Sequence, residues 1–446
     1  MSKLHMRMLL FTGVSILAVG TLPSIRKPVS ADSKLPNLLP IPNSTGFLAT
    51  FSDSPINLDN AFFQSLGTNG RSCGSCHQAS DGWSVSAEHI RFRFYASLGT
   101  DPIFRPNDGS NCDTSDVSTF AAKKKAYSLL LNKGLIRVEL PAPPGAEFAV
   151  TTVVTPYGCD STQKISVYRR PLPTANLRFL ATVMWDGRES HPGNTLQQNL
   201  LQQALDATTG HAQGKGLSAA NQQSIVDFEM ALFTAQLADF QAGRLDDDGA
   251  KGGPQNLSQQ EFFIGINDPL GLNPKGTPFN PKAMTLFNAW TNAAGDGFRR
   301  REAEERKSIA RGQALFNTRP ISITGVAGLN DDLGVAVIPG TCTMNIGVAD
   351  VALAANRDLP VFTLENLTTH KAVTTTDPGR ALISGKWKDI GRTKGPILRG
   401  LSSRAPYFHN GSAATLLDAV NFYDTRFGIG FNAQEKADLV KFLSAL

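Results

Sequence analysis

The sequence predicts a mainly α-helical protein of two domains. The chain has 446 residues, which matches two domains of ordinary size. Apolar residues recur at helical spacing in several long stretches, such as 196–208, where Leu196, Leu200 and Leu205 would share one face. Strand-like stretches are few and short, and they are confined to 136–168.

The first 31 residues are expected to form an export signal. Two basic residues precede an apolar run from Met8 to Leu22, and Val29-Ser30-Ala31 provides small residues for cleavage. An uncleaved membrane anchor is the alternative, because Arg26 and Lys27 separate the apolar run from the cleavage site. We therefore expect a periplasmic protein that contacts the membrane only if this segment is retained.

The charge balance gives no indication of a nucleic-acid partner. The chain has 43 Lys and Arg residues against 38 Asp and Glu residues. Four basic residues and no acidic one precede Asp32, so the remainder of the chain has 39 basic and 38 acidic residues. A nearly neutral chain lacks the basic surface that binds phosphate backbones or anionic lipids.

The most specific motif is Cys73-Gly74-Ser75-Cys76-His77. Two thiols three positions apart can add across the two vinyl groups of haem, and the imidazole that follows them can bind the iron. A zinc site would need a second pair of Cys or His ligands at similar spacing, which the sequence does not contain. We predict one haem c attached covalently at Cys73 and Cys76, with His77 as an iron ligand.

An N-terminal domain over 32–240 is predicted to surround this motif. Its predicted helices are 59–66, 86–95, 119–131, 176–185, 196–208 and 222–240. Short strands at 136–139, 147–154 and 165–168 belong to an insertion over 96–170. Cys112 and Cys159 lie in polar loops of this insertion, and we predict that they form a disulfide in an exported protein.

A C-terminal domain is predicted over 286–446, after a connection at 241–285 that is rich in Gly, Asp and Pro. It begins with a charged helix at 299–316, which resembles the helix that leads into the haem site of small cytochrome c domains. That resemblance predicts a second haem motif shortly afterwards. The chain has Cys342 at this place, but neither a second cysteine nor a histidine follows it.

Several blocks, in this order, resemble the di-haem cytochrome c peroxidase family, which includes the methylamine-utilisation (MauG-like) di-haem enzymes. In the N-terminal half they are the haem motif and the runs 170–176 (RPLPTAN), 184–189 (MWDGRE) and 203–204 (QA). In the C-terminal half they are 395–400 (GPILRG), 404–412 (RAPYFHNGS) and 415–423 (TLLDAVNFY).

The resemblance implies two cytochrome c-like domains, each with a haem, of which the N-terminal haem meets peroxide. It implies that Trp185 lies between the haems and that a ligand of the second haem falls at or near Tyr423. Because the second motif is degenerate here, we expect that the second haem is lost. Attachment through Cys342 alone is the alternative, and the family also allows a bridging calcium ion.

Three residues are candidates for catalysis: His211, Trp185 and Gln203. The distal Glu of the family, which follows the Gln-Ala pair, is missing. His211 is the best-placed substitute, either as general acid and base toward peroxide or as a sixth ligand to the iron. Met184 and Met230 are thioether alternatives for the sixth position. His89 is either a ligand or a packing residue, whereas His191 and His409 are expected to be structural.

Arg170 and Arg188 are predicted to bind the haem propionates, since a guanidinium group binds a carboxylate through two hydrogen bonds. Ion pairs with Asp186 or Glu189 are the alternative. We therefore expect an exported haem protein of the di-haem peroxidase type, which reduces peroxide or carries out a related oxidation at its N-terminal haem.

Its electron donor would be a small redox protein or a quinol-linked donor. Whether the chain is an enzyme stays open, because the second haem is not expected. A non-catalytic electron-transfer cytochrome with a six-coordinate haem is the alternative, and a binding or scaffold protein is a third.

Overall fold

The computed structural model describes residues 34–159, 161–263, 266–267, 273–297, 299–321 and 343–446. The predicted export signal and Cys342 lie outside these residues. Within the described part of the chain, no helix is both long enough and apolar enough to cross a membrane.

The described residues contain ten α-helices, several of which begin at a side-chain cap. Thr195, Thr415 and Asn432 each accept a hydrogen bond from the backbone N–H three residues on, which satisfies a donor that the first turn leaves unpaired. The helices are α1 (Ala87–Ala96), α2 (Phe120–Ala126), α3 (Ser128–Lys133), α4 (Leu196–Gly210), α5 (Ala219–Ala231), α6 (Pro254–Ser258), α7 (Arg299–Thr318), α8 (Ala381–Ser384), α9 (Leu416–Phe427) and α10 (Ala433–Ser444).

Thirteen strands in the described residues form five small sheets. They are β1 (Lys34–Leu35), β2 (Ile41–Pro42), β3 (Gly46–Ser52), β4 (Ile56–Asn57), β5 (Ile136–Pro141), β6 (Phe148–Val154), β7 (Lys164–Arg169), β8 (Leu232–Asp239), β9 (Gly243–Arg244), β10 (Thr343–Met344), β11 (Val361–Asn366), β12 (Ala372–Thr375) and β13 (Thr393–Lys394). The sheet orders are β1-β4, β2-β3-β8-β9, β5-β7, β6-β11-β12 and β10-β13, and the pairs are antiparallel.

Two of the predicted helices differ from the structure because of β8. The helix predicted at 222–240 ends with α5, and the chain continues as β8, which pairs with β3 in the middle of a sheet. The helix predicted at 176–185 is reduced to a three-residue 3-10 helix, Leu177–Phe179. Asn176, at its start, instead exchanges two hydrogen bonds with the backbone of Thr234 in β8 (2.8 and 2.9 Å). Tertiary pairing thus outweighs the local helical spacing.

The insertion contacts the predicted C-terminal domain closely. Strand β6 of the insertion pairs with β11 in an antiparallel ladder. At the end of β7, Arg169 binds Asp377 through two hydrogen bonds of 2.7 and 2.8 Å. Helices and sheets both contribute to this arrangement. The mainly α-helical class, the cytochrome c-like domains and the domain limits therefore stay predictions.

A disulfide joins Cys112 and Cys159, whose Cα atoms lie 5.9 Å apart. It connects the loop before α2 to the loop between β6 and β7. The first of these loops also contains Asp108, which is buried. The disulfide therefore ties down the segment that carries this carboxylate.

The core beside α4 and α5 is built around four aromatic rings. The rings of Phe62, Phe63, Trp83 and Phe228 lie with centroids 4.9 to 6.4 Å apart, mostly edge to face. The buried Trp83 indole N–H donates to the Thr50 hydroxyl of β3 (2.9 Å). Cys73 packs against this cluster, so the haem motif is anchored in the core.

Candidate cofactor site

The haem motif folds as a tight turn with both thiols free. Residues 73–75 form a 3-10 helix, and the N–H groups of Cys76 and His77 both donate to the Cys73 carbonyl (3.1 and 3.0 Å). A Cβ atom at Gly74 would lie 3.0 Å from the Phe63 ring, so glycine permits the close packing of the turn on the core. Cys73 and Cys76 are not disulfide-bonded. Burial raises the pKa of both thiols.

The turn faces a large cavity between α4, α5 and the segment 169–185. The cavity encloses about 1290 Å³, including the part that opens to solvent. Much of the wall is apolar and includes Leu177, Leu180, Val183, Leu200 and Ile225. Such a wall suits a mainly apolar group.

All eight residues that the sequence analysis assigned to catalysis, haem attachment or propionate binding line this one cavity. They come from four separate stretches of the chain, so the fold brings together what the sequence shows only as scattered motifs. The residues are Cys73, Cys76, His77, Arg170, Trp185, Arg188, Gln203 and His211. Their individual roles stay predictions.

His77 is oriented by the backbone. Its Nδ1 donates to the Trp83 carbonyl (3.1 Å), which leaves Nε2 as the nitrogen for a metal. Burial lowers the pKa of His77 to about 4, although contacts with the backbone of Trp83 and of Leu172 act in the opposite direction. The ring is therefore neutral at neutral pH, which is the form that binds metals.

His211 is oriented by a carboxylate. It lies directly after α4, and its Nδ1 donates to Oδ2 of Asp108 (2.5 Å). Asp108 also pairs with the buried Arg71. Burial acts to raise the pKa of Asp108, but the hydrogen bond from His211 and the charge of Arg71 outweigh it and lower the pKa below the usual range. The ionised Asp108 thus holds the imidazole while its other nitrogen remains unpaired by any described residue.

Part of the chain is similar in sequence to cytochrome-c peroxidases. The chain is 37% identical over 81 residues to the cytochrome-c peroxidase IdrP1 of Pseudomonas sp. strain SCT, a match that covers 16% of this chain and 21% of that protein. It is 40% identical over 70 residues to IdrP1 of Denitromonas iodatirespirans, covering 13% and 19%. The chain is locally similar to haem peroxidases. These matches span about a fifth of the length of the relatives.

Two further comparisons add little to this similarity. No family model matches the chain. Among solved structures, a chain of Kuenenia stuttgartiensis hydrazine synthase pressurised with xenon aligns with 81% of this chain and 93% of its own, at 15% identity and a TM-score of 0.32.

The residues of the cavity fit a haem group. Two free thiols and an oriented, neutral imidazole meet in one apolar cavity, which is the donor set that a c-type haem needs. The hydroxyl oxygen of Thr174, which also lines the cavity, is buried and has no hydrogen-bond partner within the described residues. A polar edge of a bound group would satisfy it.

The two predicted propionate-binding arginines already have partners. Arg170 donates to the backbone carbonyls of Lys133, Val85 and Arg404 (2.6 to 2.8 Å). Burial, together with the charge of Arg404, lowers the pKa of Arg170 to about 9. Arg188 forms the ion pair with Asp186 that the sequence left open (3.2 Å). Both line the cavity, but Arg170 mainly ties three segments of backbone together.

Trp185 is buried beside the second half of the chain. Its indole N–H donates to the Arg170 carbonyl (2.7 Å), and its ring lies 6.0 Å from the ring of His409. His409 does not line the cavity, and its buried Nε2 has no hydrogen-bond partner among the described residues. The structure therefore places Trp185 between the cavity and the C-terminal part of the chain.

The remaining candidates divide into two groups. Met184 lines the cavity, whereas Met230 does not. His89 is held by Asp81 (2.6 Å) outside the cavity, and His191 is exposed. Of the alternatives to His211 as a sixth ligand, only Met184 lines the cavity.

Sequence reasoning missed three polar residues of this site. Arg71 and Glu229 line the cavity, and Asp108 accepts the hydrogen bond that orients His211. No motif marks them, because their partners are distant in sequence: Asp108 and His211 are 103 positions apart. Glu229 had a weak signal, since a carboxylate among Ile225, Phe228 and Leu232 interrupts an apolar stretch.

Proposed function

We propose that this protein is a c-type haem protein of the di-haem cytochrome c peroxidase type, which reduces peroxide at a haem attached to Cys73 and Cys76. The observation that carries the proposal is the meeting of two free thiols and two imidazoles, His77 and His211, in one cavity. The local similarity to cytochrome-c peroxidases supports it. The proposal includes an exported, periplasmic chain without a second haem.

Haem bound here would supply an iron centre that takes up peroxide and exchanges electrons. His77 would hold the iron through Nε2, with its ring fixed by the Trp83 carbonyl. His211 would take a proton from peroxide and return it to the departing oxygen, because its Nδ1–H is held by Asp108 and its other nitrogen remains for this task. Gln203, which also lines the cavity, would orient peroxide by hydrogen bonding.

A second candidate is an electron-transfer cytochrome in which His211 would bind the iron as a sixth ligand. The same imidazole supports both candidates, since a carboxylate partner raises the ligand strength of a histidine. Electrons would come from a small redox protein or a quinol-linked donor in either case. Trp185, buried beside His409, lies where it can pass an electron toward the C-terminal part of the chain.

The test compares His211→Gln with the parent protein, both exported with working haem-maturation machinery. We expect one haem per chain by pyridine haemochrome, a high-spin component in the ferric spectrum, and peroxide turnover that falls about 10²- to 10⁴-fold in the variant. His191→Gln, at an exposed position outside the cavity, is the control and should leave turnover unchanged.

Other outcomes separate the candidates. The electron-transfer cytochrome would be supported instead of the peroxidase if the ferric spectrum of the parent is fully low-spin and unchanged by cyanide. The His211→Gln variant should then become high-spin. A parent chain that carries no covalent haem by mass spectrometry would overturn both.

A further inference from the structure

One carboxyl group of the cavity has no task in the proposed function. Glu229 lies near the end of α5, is 3% exposed and lines the cavity. The described residues provide neither a hydrogen bond nor an ion pair to its carboxyl group. A buried carboxyl without a partner is unusual, because leaving it unpaired costs free energy.

The elements that pack on α5 present no charge that pairs with Glu229. Helix α4 contributes Asp206, which is exposed, and the 3-10 helix 177–179 contributes Arg178, whose Nε donates to the Met230 carbonyl (3.0 Å). The 3-10 helix 61–63 contains no titratable residue. The other titratable groups around the cavity are Cys73, Cys76, His77, Arg71, Arg169, Arg170, Arg188 and His211.

Glu229 nevertheless lies in the electrostatic neighbourhood of the haem-attachment site. Burial is the main cause of the raised pKa of Cys73, one of the two attachment residues, and the charge of Glu229 raises it further. A charge that reaches Cys73 also reaches a group bonded to Cys73, because low-dielectric surroundings screen such interactions only weakly. Conversely, a charge gained by that group acts on Glu229.

Burial sets the resting state of this carboxyl group. It raises the pKa of Glu229 to about 8, so the group is mainly protonated at neutral pH. One added positive charge in the cavity would favour the carboxylate and lower this pKa. Loss of an electron by a haem adds such a charge.

We propose that Glu229 is a redox-linked proton site. Its carboxyl O–H bond breaks and the proton passes to water when the haem held in the cavity gives one electron to an external one-electron acceptor. The proton returns to Glu229 when an external one-electron donor reduces the haem again. One electron and one proton move in each direction, and the O–H bond that breaks at Glu229 is replaced by an O–H bond of hydronium. This inference rests on the proposed haem attachment at Cys73 and Cys76.

Proton linkage makes the midpoint potential depend on pH. Between the pKa of Glu229 with oxidised haem and its pKa with reduced haem, the potential falls by up to about 59 mV per pH unit, the one-electron equivalent of a tenfold change. Outside that window Glu229 contributes no slope. Any slope from haem propionates is shared by all variants.

The experiment is a spectroscopic redox titration of the haem-loaded full chain between about pH 6 and about pH 10. We expect that Glu229→Gln removes a segment of the slope that the parent shows. Asp227→Asn is the matched control, because it removes a carboxylate from the exposed side of the same helix and should keep the parent's slope. Equal slopes in the parent and Glu229→Gln would overturn the inference while the proposed haem attachment stands.

A second measurement needs no variant and covers the case in which Glu229→Gln does not retain haem. The parent protein is oxidised in weakly buffered solution at several pH values between about 6 and about 10, and a pH-indicator dye records the proton released per electron. The inference is supported if the number of protons released per electron rises to a maximum below one within this pH range and falls again on either side. Oxidation without proton release at any pH would overturn it. A parent without haem would instead overturn the proposed function.

Discussion

The two histidines of the cavity have opposite surroundings. His77 is bonded to a backbone carbonyl and adjoins the aromatic cluster of Phe62 and Trp83. The His211 side chain is 41% exposed and bonded to Asp108, which also pairs with Arg71. A carbonyl orients a neutral ring, whereas a carboxylate also stabilises the protonated ring. The first environment suits a permanent ligand and the second suits a group that exchanges protons.

The surroundings of the two histidines, here called the His77 side and the His211 side, also differ in how the chain forms them. The His77 side is formed by the turn at 73–77 and its immediate neighbours, so its geometry is local. The His211 side joins the end of α4 to the insertion, since Asp108, Arg71 and the His211 carbonyl meet there. It therefore depends on long-range packing and on the disulfide that ties down the Asp108 loop. Substitutions on the two sides should have different consequences.

The largest expected effect is on haem retention. His77→Ala should abolish the mature haem protein, because the turn loses its iron ligand beside the attachment cysteines. His211→Ala should keep one covalent haem per chain, since its side chain is held by Asp108 and is not part of the turn that carries the attachment cysteines. Haem staining and intact mass measure both variants. Retention of haem in His77→Ala, or loss of haem in His211→Ala, would contradict the roles that we assign to the two histidines.

A smaller effect is expected when the carboxylate that binds His211 is replaced, and it concerns the free energy of unfolding. Asp108→Asn removes the charge partner of the buried Arg71, and breaking such a pair typically costs about 3–5 kcal/mol. Arg71 keeps its bonds to the carbonyls of Pro102 (2.9 Å) and Ile103 (2.6 Å), so the fold should persist. Urea unfolding at neutral pH measures the free-energy change.

The matched control for this substitution is Asp246→Asn. Asp246 pairs with Arg244 at the surface (2.7 Å), and such pairs are worth about 0–1 kcal/mol. Similar losses of stability in the two variants would show that the Asp108 pair is no more buried in solution than a surface pair.

The sequence revealed one side of this comparison better than the other. Cys73, Cys76 and His77 form a contiguous motif whose chemistry is specific, so the His77 side could be predicted from spacing alone. His211 was found only through a family resemblance. Asp108 was missed because nothing local distinguishes it from other loop aspartates, and its role arises from a contact across 103 positions.

The fold shows the same division between local and long-range causes. Helices α1, α4 and α7 were predicted closely, because caps and apolar spacing act within a few residues. Strand β8 was predicted as helix, since its partner β3 lies far away in sequence. Local signals cannot report the ladder that decides its conformation.

His409 tests whether burial alone can keep a histidine of this protein neutral. It is 3% exposed, and burial lowers its pKa to about 4, although Asp377, 3.6 Å from its Nε2, acts in the opposite direction. In the unfolded chain the pKa is about 6.5. Between these values the unfolded chain binds more protons, so the folding stability due to neutral His409 is complete above about pH 6.5 and declines as the pH falls toward 4.

His409→Gln should therefore flatten the pH dependence of unfolding free energy over this interval, by about 3 kcal/mol in total. Urea unfolding at several pH values measures the slope, and His370→Gln, at an exposed position, controls for the loss of an imidazole. An unchanged slope in His409→Gln would show that Asp377 offsets the burial of the ring. Carboxylate contact, rather than burial, would then be the dominant influence on this histidine, as it is for the orientation of His211.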